Sequence, residues 1–154
     1  VVDEGSEVVA AISGQHWASD STTEQGVGYR VLPAPIEGFV EQVWEHELVA
    51  GSDGLHRVAL LRADETLGVE VAWDATTMPS FFEWQNLRSG QYAVGLEPSS
   101  HCVQGDGAAR DDGSMTWLRH GDAKSYSLDI RVLDGAAAVQ DSRSRIRAIG
   151  DQPE

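Results

Sequence analysis

Apolar and polar residues alternate in short runs along most of the chain, and Gly, Asp, Ser or Pro separates one run from the next. In the clearest run, residues 125–133, Tyr126, Leu128, Ile130 and Val132 share one face that is expected to point inward. This alternation is typical of half-buried β-strands. Strands are predicted over 7–12, 39–49, 56–62, 68–74, 81–85, 91–96, 115–118 and 125–133, with an extended segment over 31–36.

Many short strands at roughly ten-residue spacing, joined by turn residues, predict an all-β fold of the antiparallel β-sandwich type. Residues 1–135 are expected to form this β-sandwich domain, and residues 136–154 a C-terminal tail. Residues 13–29 are mostly polar and predict a loop. A short helix is expected over 135–142, and the charged residues from Asp141 onward are expected to fray.

Two of the predicted strands carry polar residues on faces that also hold apolar ones. In 39–49, alternation places Glu45 on one face and His46 on the other. In 81–85 it places Phe82 and Trp84 opposite Gln85. Such strands are suited to line a polar cleft as well as a core.

The net charge of −14 argues against a nucleic-acid partner, since no basic stripe is present to replace the counterions on phosphates. It also argues against anionic membrane surfaces, and no apolar run approaches transmembrane length. Neutral polar ligands such as sugars remain compatible with this charge. The N-terminus does not resemble a signal peptide, and the single cysteine, Cys102, favours a reducing, cytoplasmic location.

The five histidines show no zinc-site spacing, so no metal and no cofactor are expected. Glu97 is the strongest candidate for chemistry, because a strand-like run ends on it and Pro98 restricts its backbone. A fixed carboxylate suits a general base, whereas the alternative is a solvated glutamate at a strand end. His101 and His46 are the candidates for an accompanying acid.

Aromatic residues precede the Glu97 strand, and they are usually core residues in an all-β protein. Phe82 and Trp84 could instead form a platform for the apolar face of a sugar ring. Gln85 and Arg88 would then be near enough to offer hydrogen bonds to the sugar.

Residues Met78 to Leu133 resemble the C-terminal half of the aldose 1-epimerase-like branch of the galactose-mutarotase superfamily. The matching pieces are Met78-Pro79, Trp84, 90–98 (with the Gly-Leu-Glu-Pro segment), 108–110, Gly113, Gly121-Asp122 and 126–130, together with 2–5 and 41–46 upstream.

The resemblance implies a β-supersandwich with a monosaccharide in a cleft on a concave sheet face. It also implies that a glutamate takes the proton of the anomeric hydroxyl while a histidine protonates the ring oxygen. Glu97 matches the glutamate. Family members are about twice as long as this chain, and their acid lies in the N-terminal half.

The resemblance therefore implies that the acid comes from a missing N-terminal segment or a partner chain, with His46 and His101 as alternatives within this chain. Three hypotheses follow: an epimerase that interconverts sugar anomers, a carbohydrate-binding module without catalysis, and a structural β-domain that dimerises. A homodimer is expected under all three, because half a sandwich exposes strand edges and apolar surface.

Overall fold

The computed structural model describes residues 2–150 and contains two four-stranded antiparallel sheets and three helices within that range. The strands are β1 Glu7–Ala10, β2 Ile12–Ala18, β3 Gln42–Leu48, β4 Leu55–Leu61, β5 Leu67–Asp74, β6 Ser80–Asn86, β7 Ala93–Ser99 and β8 Leu128–Asp134; the helices are α1 Asp20–Gln25, α2 Asp106–Asp111 and α3 Ala136–Gly150. The predicted antiparallel β-sandwich is confirmed.

The first sheet has the strand order β1-β4-β5-β8, and the second has the order β2-β3-β6-β7. The core lies between them and joins Val58, Val71 and Trp73 of the first sheet to Phe81 of the second. The indole Nε1 of Trp73 donates to the backbone oxygen of Met78 at 2.9 Å, which satisfies the one polar atom of this buried ring.

The sequence pattern predicted a loop over residues 13–29, but the structure has β2 and α1 there. Strand β2 pairs with β3 through two register shifts, one between Ile12 and Gly14 and one between Gln15 and Trp17. Such irregularities interrupt the two-residue alternation of apolar and polar side chains, so β2 cannot be recognised from that alternation. Residues 115–118, by contrast, form no strand.

Strand β7 continues three residues past the predicted end, to Ser99, and includes both Glu97 and Pro98. Pro98 pairs with Phe81 of β6, and β7 has no neighbour on its other side within the described residues. A proline is tolerated there because an edge strand needs hydrogen bonds on one side only. Glu97 is therefore within a strand rather than at its end.

The C-terminal segment is a 15-residue helix, α3, rather than the short helix and frayed tail that its charge suggested. Val139 and Ile146 are fully buried against the outer face of the first sheet, where they contact Leu61 and Leu133. The division of the chain at residue 135 into a domain and a tail stays a prediction, and residues 151–154 lie outside the described range.

The arginines of α3 bind acidic residues of the first sheet and its turns. Arg143 lies 3.1 Å from Glu7 and 2.6 Å from Glu65, and Arg145 lies 2.5 Å from Glu70. The charges that predicted a solvated tail thus help to hold the helix on the sheet.

The free edge of β1 is covered by residues 30–32 of the following segment. Val8 donates its backbone N–H to Arg30, and Leu32 donates to Ser6, at 2.8 and 2.9 Å. Among residues 2–150, no helix is both long enough and apolar enough to cross a lipid bilayer.

Candidate active site

The second sheet presents four side chains in one row, one from each strand. Trp17 of β2 pairs with Glu45 of β3, Glu45 with Phe82 of β6, and Phe82 with Glu97 of β7. Directly paired residues of an antiparallel sheet project to the same side, so the four side chains share the face that points away from the core. We call this surface the Glu97 face.

Glu97 is exposed on this face, and its carboxylate lies over Gly95, two residues earlier on the same strand. A methyl group at Gly95 would overlap Oε1 of Glu97. The glycine therefore provides the space in which the carboxylate rests along the strand. This local feature accounts for where the carboxylate lies along the strand.

Glu45 occupies the same row but is buried, with only 4% of its surface exposed. Its Oε2 has no hydrogen-bond partner among the described residues. A buried carboxylate oxygen without a partner is costly. Less than 1 Å² of this oxygen is exposed, so a ligand hydroxyl reaches it only if neighbouring side chains move. Glu45 is not among the residues predicted to carry chemistry, although its alternation with Val43 and Glu47 places it on one face of the strand.

Trp84 also lies on the Glu97 face, one row away, where it pairs with Val43 on one side and Gly95 on the other. Its indole Nε1 donates to Glu41 Oε2 at 3.1 Å, which fixes the ring while leaving it partly exposed. Gly95 has no side chain of its own, and the Glu97 carboxylate occupies the space beside Trp84 at this pair. The structure thus places Phe82, Trp84 and Glu97 on one face, but Phe82 is only 2% exposed, so Trp84 alone of the two aromatic rings is open to a ligand.

His46 lies on the opposite face of the sheet, inside the sandwich, and is only 2% exposed. Its ring lies 4.5 Å from that of Tyr29 and 6.0 Å from that of Phe81, measured between centroids. Its Nε2 is 3.5 Å from Oε2 of Glu83, which is too far for a good hydrogen bond. The structure therefore does not bring His46 to Glu97.

Gln85 shares the interior with His46. Its side-chain amide donates to Glu83 Oε1 at 2.8 Å and lies 3.4 Å from the backbone oxygen of Tyr29. Burial raises the pKa of Glu83, while the nearby His46 and the hydrogen bond from Gln85 oppose that rise. Gln85 is thus engaged with a buried carboxyl group on the side of the sheet that faces away from Glu97.

His101 and Arg88 lie beyond the ends of the strands. His101 is exposed, and its Nδ1 is 2.7 Å from the backbone oxygen of Cys102; it borders a cavity of about 230 Å³ with Lys124 and Tyr126. Arg88 is exposed in the turn after β6, six residues past Phe82, which corresponds to roughly 20 Å along an extended strand. Neither side chain belongs to the row of Glu97.

Within the described part of the chain, no group of three or more histidine, cysteine, aspartate or glutamate side chains is arranged to hold a metal ion. The Glu97 face presents the Glu97 carboxylate beside the partly exposed Trp84 ring. Such a surface can stack against a sugar ring, accept hydrogen bonds from its hydroxyls and take a proton from one of them.

A crystal structure of a "putative aldose 1-epimerase" from Klebsiella pneumoniae has the same fold, with a TM-score of 0.90 over 100% of this chain. The two sequences are 19% identical, and the chain spans 41% of the length of that protein. The similarity confirms the predicted resemblance at the level of the fold. No curated protein matches the chain.

A family model matches residues 1–132, which cover both sheets as far as Val132 in β8. The match is carried by the β-sandwich, since α3 begins at Ala136. The chain therefore belongs to the family described as a domain of unknown function, DUF4432.

Proposed function

We propose that the chain binds a monosaccharide or sugar derivative on the Glu97 face and that Glu97 is the general base of an aldose 1-epimerase-like reaction. The observation that carries this proposal is the row in which Glu45 and Glu97 flank Phe82, with Trp84 beside it. Strands β3 and β7 are two strand spacings apart, or roughly 10 Å. Phe82 between them is buried, with 2% of its surface exposed, so the sugar ring is placed against Trp84 rather than on Phe82.

Each side chain then has a defined role in binding. The partly exposed Trp84 ring stacks against the apolar face of the sugar. The unpartnered Oε2 of Glu45 accepts a hydrogen bond from a hydroxyl group once neighbouring side chains move to expose it. The carboxylate of Glu97, supported above Gly95, faces the anomeric hydroxyl. A neutral ligand fits a chain of this net negative charge, because binding brings no further anion to the surface.

The reaction opens and recloses the ring. Glu97 takes the proton of the anomeric hydroxyl, the bond between C1 and the ring oxygen breaks, and the ring oxygen receives its electron pair together with a proton from an acid. Rotation about the C1–C2 bond turns the aldehyde over, and reversal of the steps forms the other anomer. The acid is supplied by an additional segment or a partner chain, with His101 as the alternative within this chain. The single Cys102 supports a cytoplasmic setting for this activity.

Anomer interconversion measured by NMR or polarimetry tests the enzymatic proposal. We expect the 154-residue chain to accelerate interconversion of at least one aldose, and Glu97→Gln to remove about 100-fold or more of that acceleration. Glu24→Gln is the matched control, because Glu24 is exposed on α1 and its loss should leave the rate unchanged. A wild-type rate equal to that of the uncatalysed reaction would rule out catalysis by this chain.

A carbohydrate-binding module is the second candidate function. It is favoured by the placement of His46 inside the sandwich, which removes one candidate acid from the Glu97 face. Calorimetric titration with the same aldoses distinguishes the two candidates. Sugar binding that requires Trp84, without any acceleration of anomer interconversion, would support the binding module and contradict the enzyme.

A further inference from the structure

Strand β8 carries an apolar stripe that the sandwich does not cover. Leu128, Ile130 and Val132 are 45%, 66% and 66% exposed. They pair with Trp73, Val71 and Val69 of β5, which lie on the face that packs into the core. The three side chains thus continue the interior face of the first sheet beyond the part that the second sheet covers, and this placement favours a further packing partner.

The outer face of β8 carries two opposite charges, Asp129 and Arg131. Both side chains are exposed, and neither has an ion pair or a side-chain hydrogen bond within residues 2–150. This distinguishes Arg131 from Arg143 and Arg145 of the nearby helix, which pair with acidic side chains. Asp129 and Arg131 are therefore available to a partner.

The outer edge of β8 is also available for backbone pairing. In the described sheets, β8 hydrogen-bonds to β5 on one side and has no strand on the other. The remaining edges are less suitable: β1 is covered by residues 30–32, β2 has two register shifts, and β7 contains Pro98. A regular seven-residue edge strand with an apolar face is a template for strand addition.

We propose that β8 pairs with β8 of a second copy of this chain, antiparallel and centred on Ile130. In this register Ile130 faces Ile130 and Leu128 faces Val132, so the apolar stripes of the two copies adjoin. Asp129 of each copy faces Arg131 of the other, which makes two opposite-charge pairs on the outer face. The first sheets of the two copies then form one continuous sheet of eight strands.

The charges select this register over its neighbours. Centring the pair on residue 129 places Asp129 against Asp129, and centring it on residue 131 places Arg131 against Arg131. Like charges directly opposite each other are destabilising. Sliding one strand by a single residue places Ile130 opposite Arg131, so that apolar and charged side chains share a face.

The interface consists mainly of one strand pair, so it is at the small end of specific protein interfaces. We therefore expect association that depends on protein concentration in the micromolar range. The pairing concerns the first sheet, whereas the Glu97 face belongs to the second, so failure of either proposal leaves the other untouched.

Charge reversal tests the pairing by analytical ultracentrifugation of the 154-residue chain over a range of concentrations. Asp129→Arg and Arg131→Asp should each weaken the dimer about 10-fold or more, and the double variant should restore it. An equimolar mixture of the two single variants should also dimerise, because their charges are complementary. Both sites are exposed and unpaired, so the variants should fold, and circular dichroism checks this.

Glu24→Arg, a charge reversal on exposed α1, is the control and should dimerise like the wild type. A wild type that remains monomeric at several hundred micromolar would overturn the proposal. Dimerisation of either charge-reversal variant with wild-type strength would overturn it too.

Cross-linking tests the register. In a Cys102→Ser background, Ile130→Cys should form an intermolecular disulfide, since facing Cα atoms in an antiparallel pair are about 4.5–5.5 Å apart. Leu128→Cys should not cross-link to itself but should cross-link to Val132→Cys. Efficient self-linking of Leu128→Cys, or none by Ile130→Cys, would contradict pairing centred on Ile130.

Discussion

At the residue scale, the Glu97 face contains two glutamates in contrasting environments. Glu97 is exposed and rests above Gly95, whereas Glu45, two strands away in the same row, is buried with one oxygen unpaired. An exposed carboxylate is free to exchange a proton, while a buried one without a partner gains most from a hydroxyl donor. The two environments therefore suit two roles toward one ligand.

Replacing Glu45 should have opposite effects on the stability of the fold and on its affinity for the sugar. Glu45→Met keeps a similar shape and removes the unpartnered oxygen, so we expect the free energy of unfolding to rise by about 1–2 kcal/mol. Affinity for the sugar should fall at the same time, because the acceptor is lost. Chemical denaturation and calorimetric titration measure the two effects.

Glu24→Met is the control for this substitution, since the same change at an exposed site of α1 should alter stability by less than about 0.5 kcal/mol. A Glu45→Met variant that loses stability and retains sugar affinity would show that the Glu45 carboxylate has a structural role instead.

At the scale of elements, α3 depends on packing and ion pairs that its own sequence does not reveal. Ile146 is fully buried against the outer face of the first sheet, in a cluster with Ala59 and Leu61. Arg143 and Arg147 both reach Glu7, on a strand about 140 residues earlier. Contacts this distant along the chain explain why a charged terminal segment forms an ordered helix.

Ile146→Ala measures how much the sandwich depends on α3. We expect the variant to lose about 2–4 kcal/mol of unfolding free energy, because it leaves a cavity between helix and sheet. Ser144→Ala, at an exposed site of the same helix, should be nearly neutral. Equal stability of the two variants in chemical denaturation would mean that α3 is not part of the cooperative fold.

Alternation predicted the central strands well, because β4, β5 and β6 are regular and paired on both sides. It failed where irregular pairing or distant contacts determine the structure, as in β2 with its register shifts and in α3. For the site, alternation correctly placed Phe82 and Trp84 opposite Gln85. It did not show that Glu97 lies inside β7, since pairing of Pro98 depends on β7 being an edge strand.

At the scale of the whole molecule, the two faces of the second sheet have different tasks. The outward face carries the candidate site, and the inward face buries His46, Glu83 and Gln85 between the sheets. Buried polar groups with incomplete hydrogen bonding reduce stability, and several atoms of this group have no partner among the described residues. The interior therefore makes the stability of the whole sandwich sensitive to pH.

The sign of that dependence follows from Glu83, whose pKa burial raises above the ordinary value of 4.5. The folded chain holds this proton to higher pH than the unfolded chain does. The contribution of Glu83 to the free energy of unfolding therefore falls as pH rises from about 4.5 through the raised pKa, and it stays low above it.

Glu83→Gln should remove this decline, because the amide cannot ionise and still accepts the hydrogen bond from Gln85. We expect the variant to gain stability relative to the wild type as pH increases from 4 to 8, measured as the difference in Tm. The opposite trend, with the wild type gaining on the variant as pH rises, would mean that an ionised Glu83 stabilises the fold, for example by pairing with a protonated His46.

The proline in β7 also has a consequence for assembly. With β1 covered, β2 irregular and Pro98 within β7, the described residues of each copy offer a single regular edge, that of β8. In the language of polymers the molecule is monovalent, and a monovalent unit cannot form a chain. Its association should saturate at two copies, so that light scattering reaches a plateau at twice the monomer mass instead of growing toward fibrils.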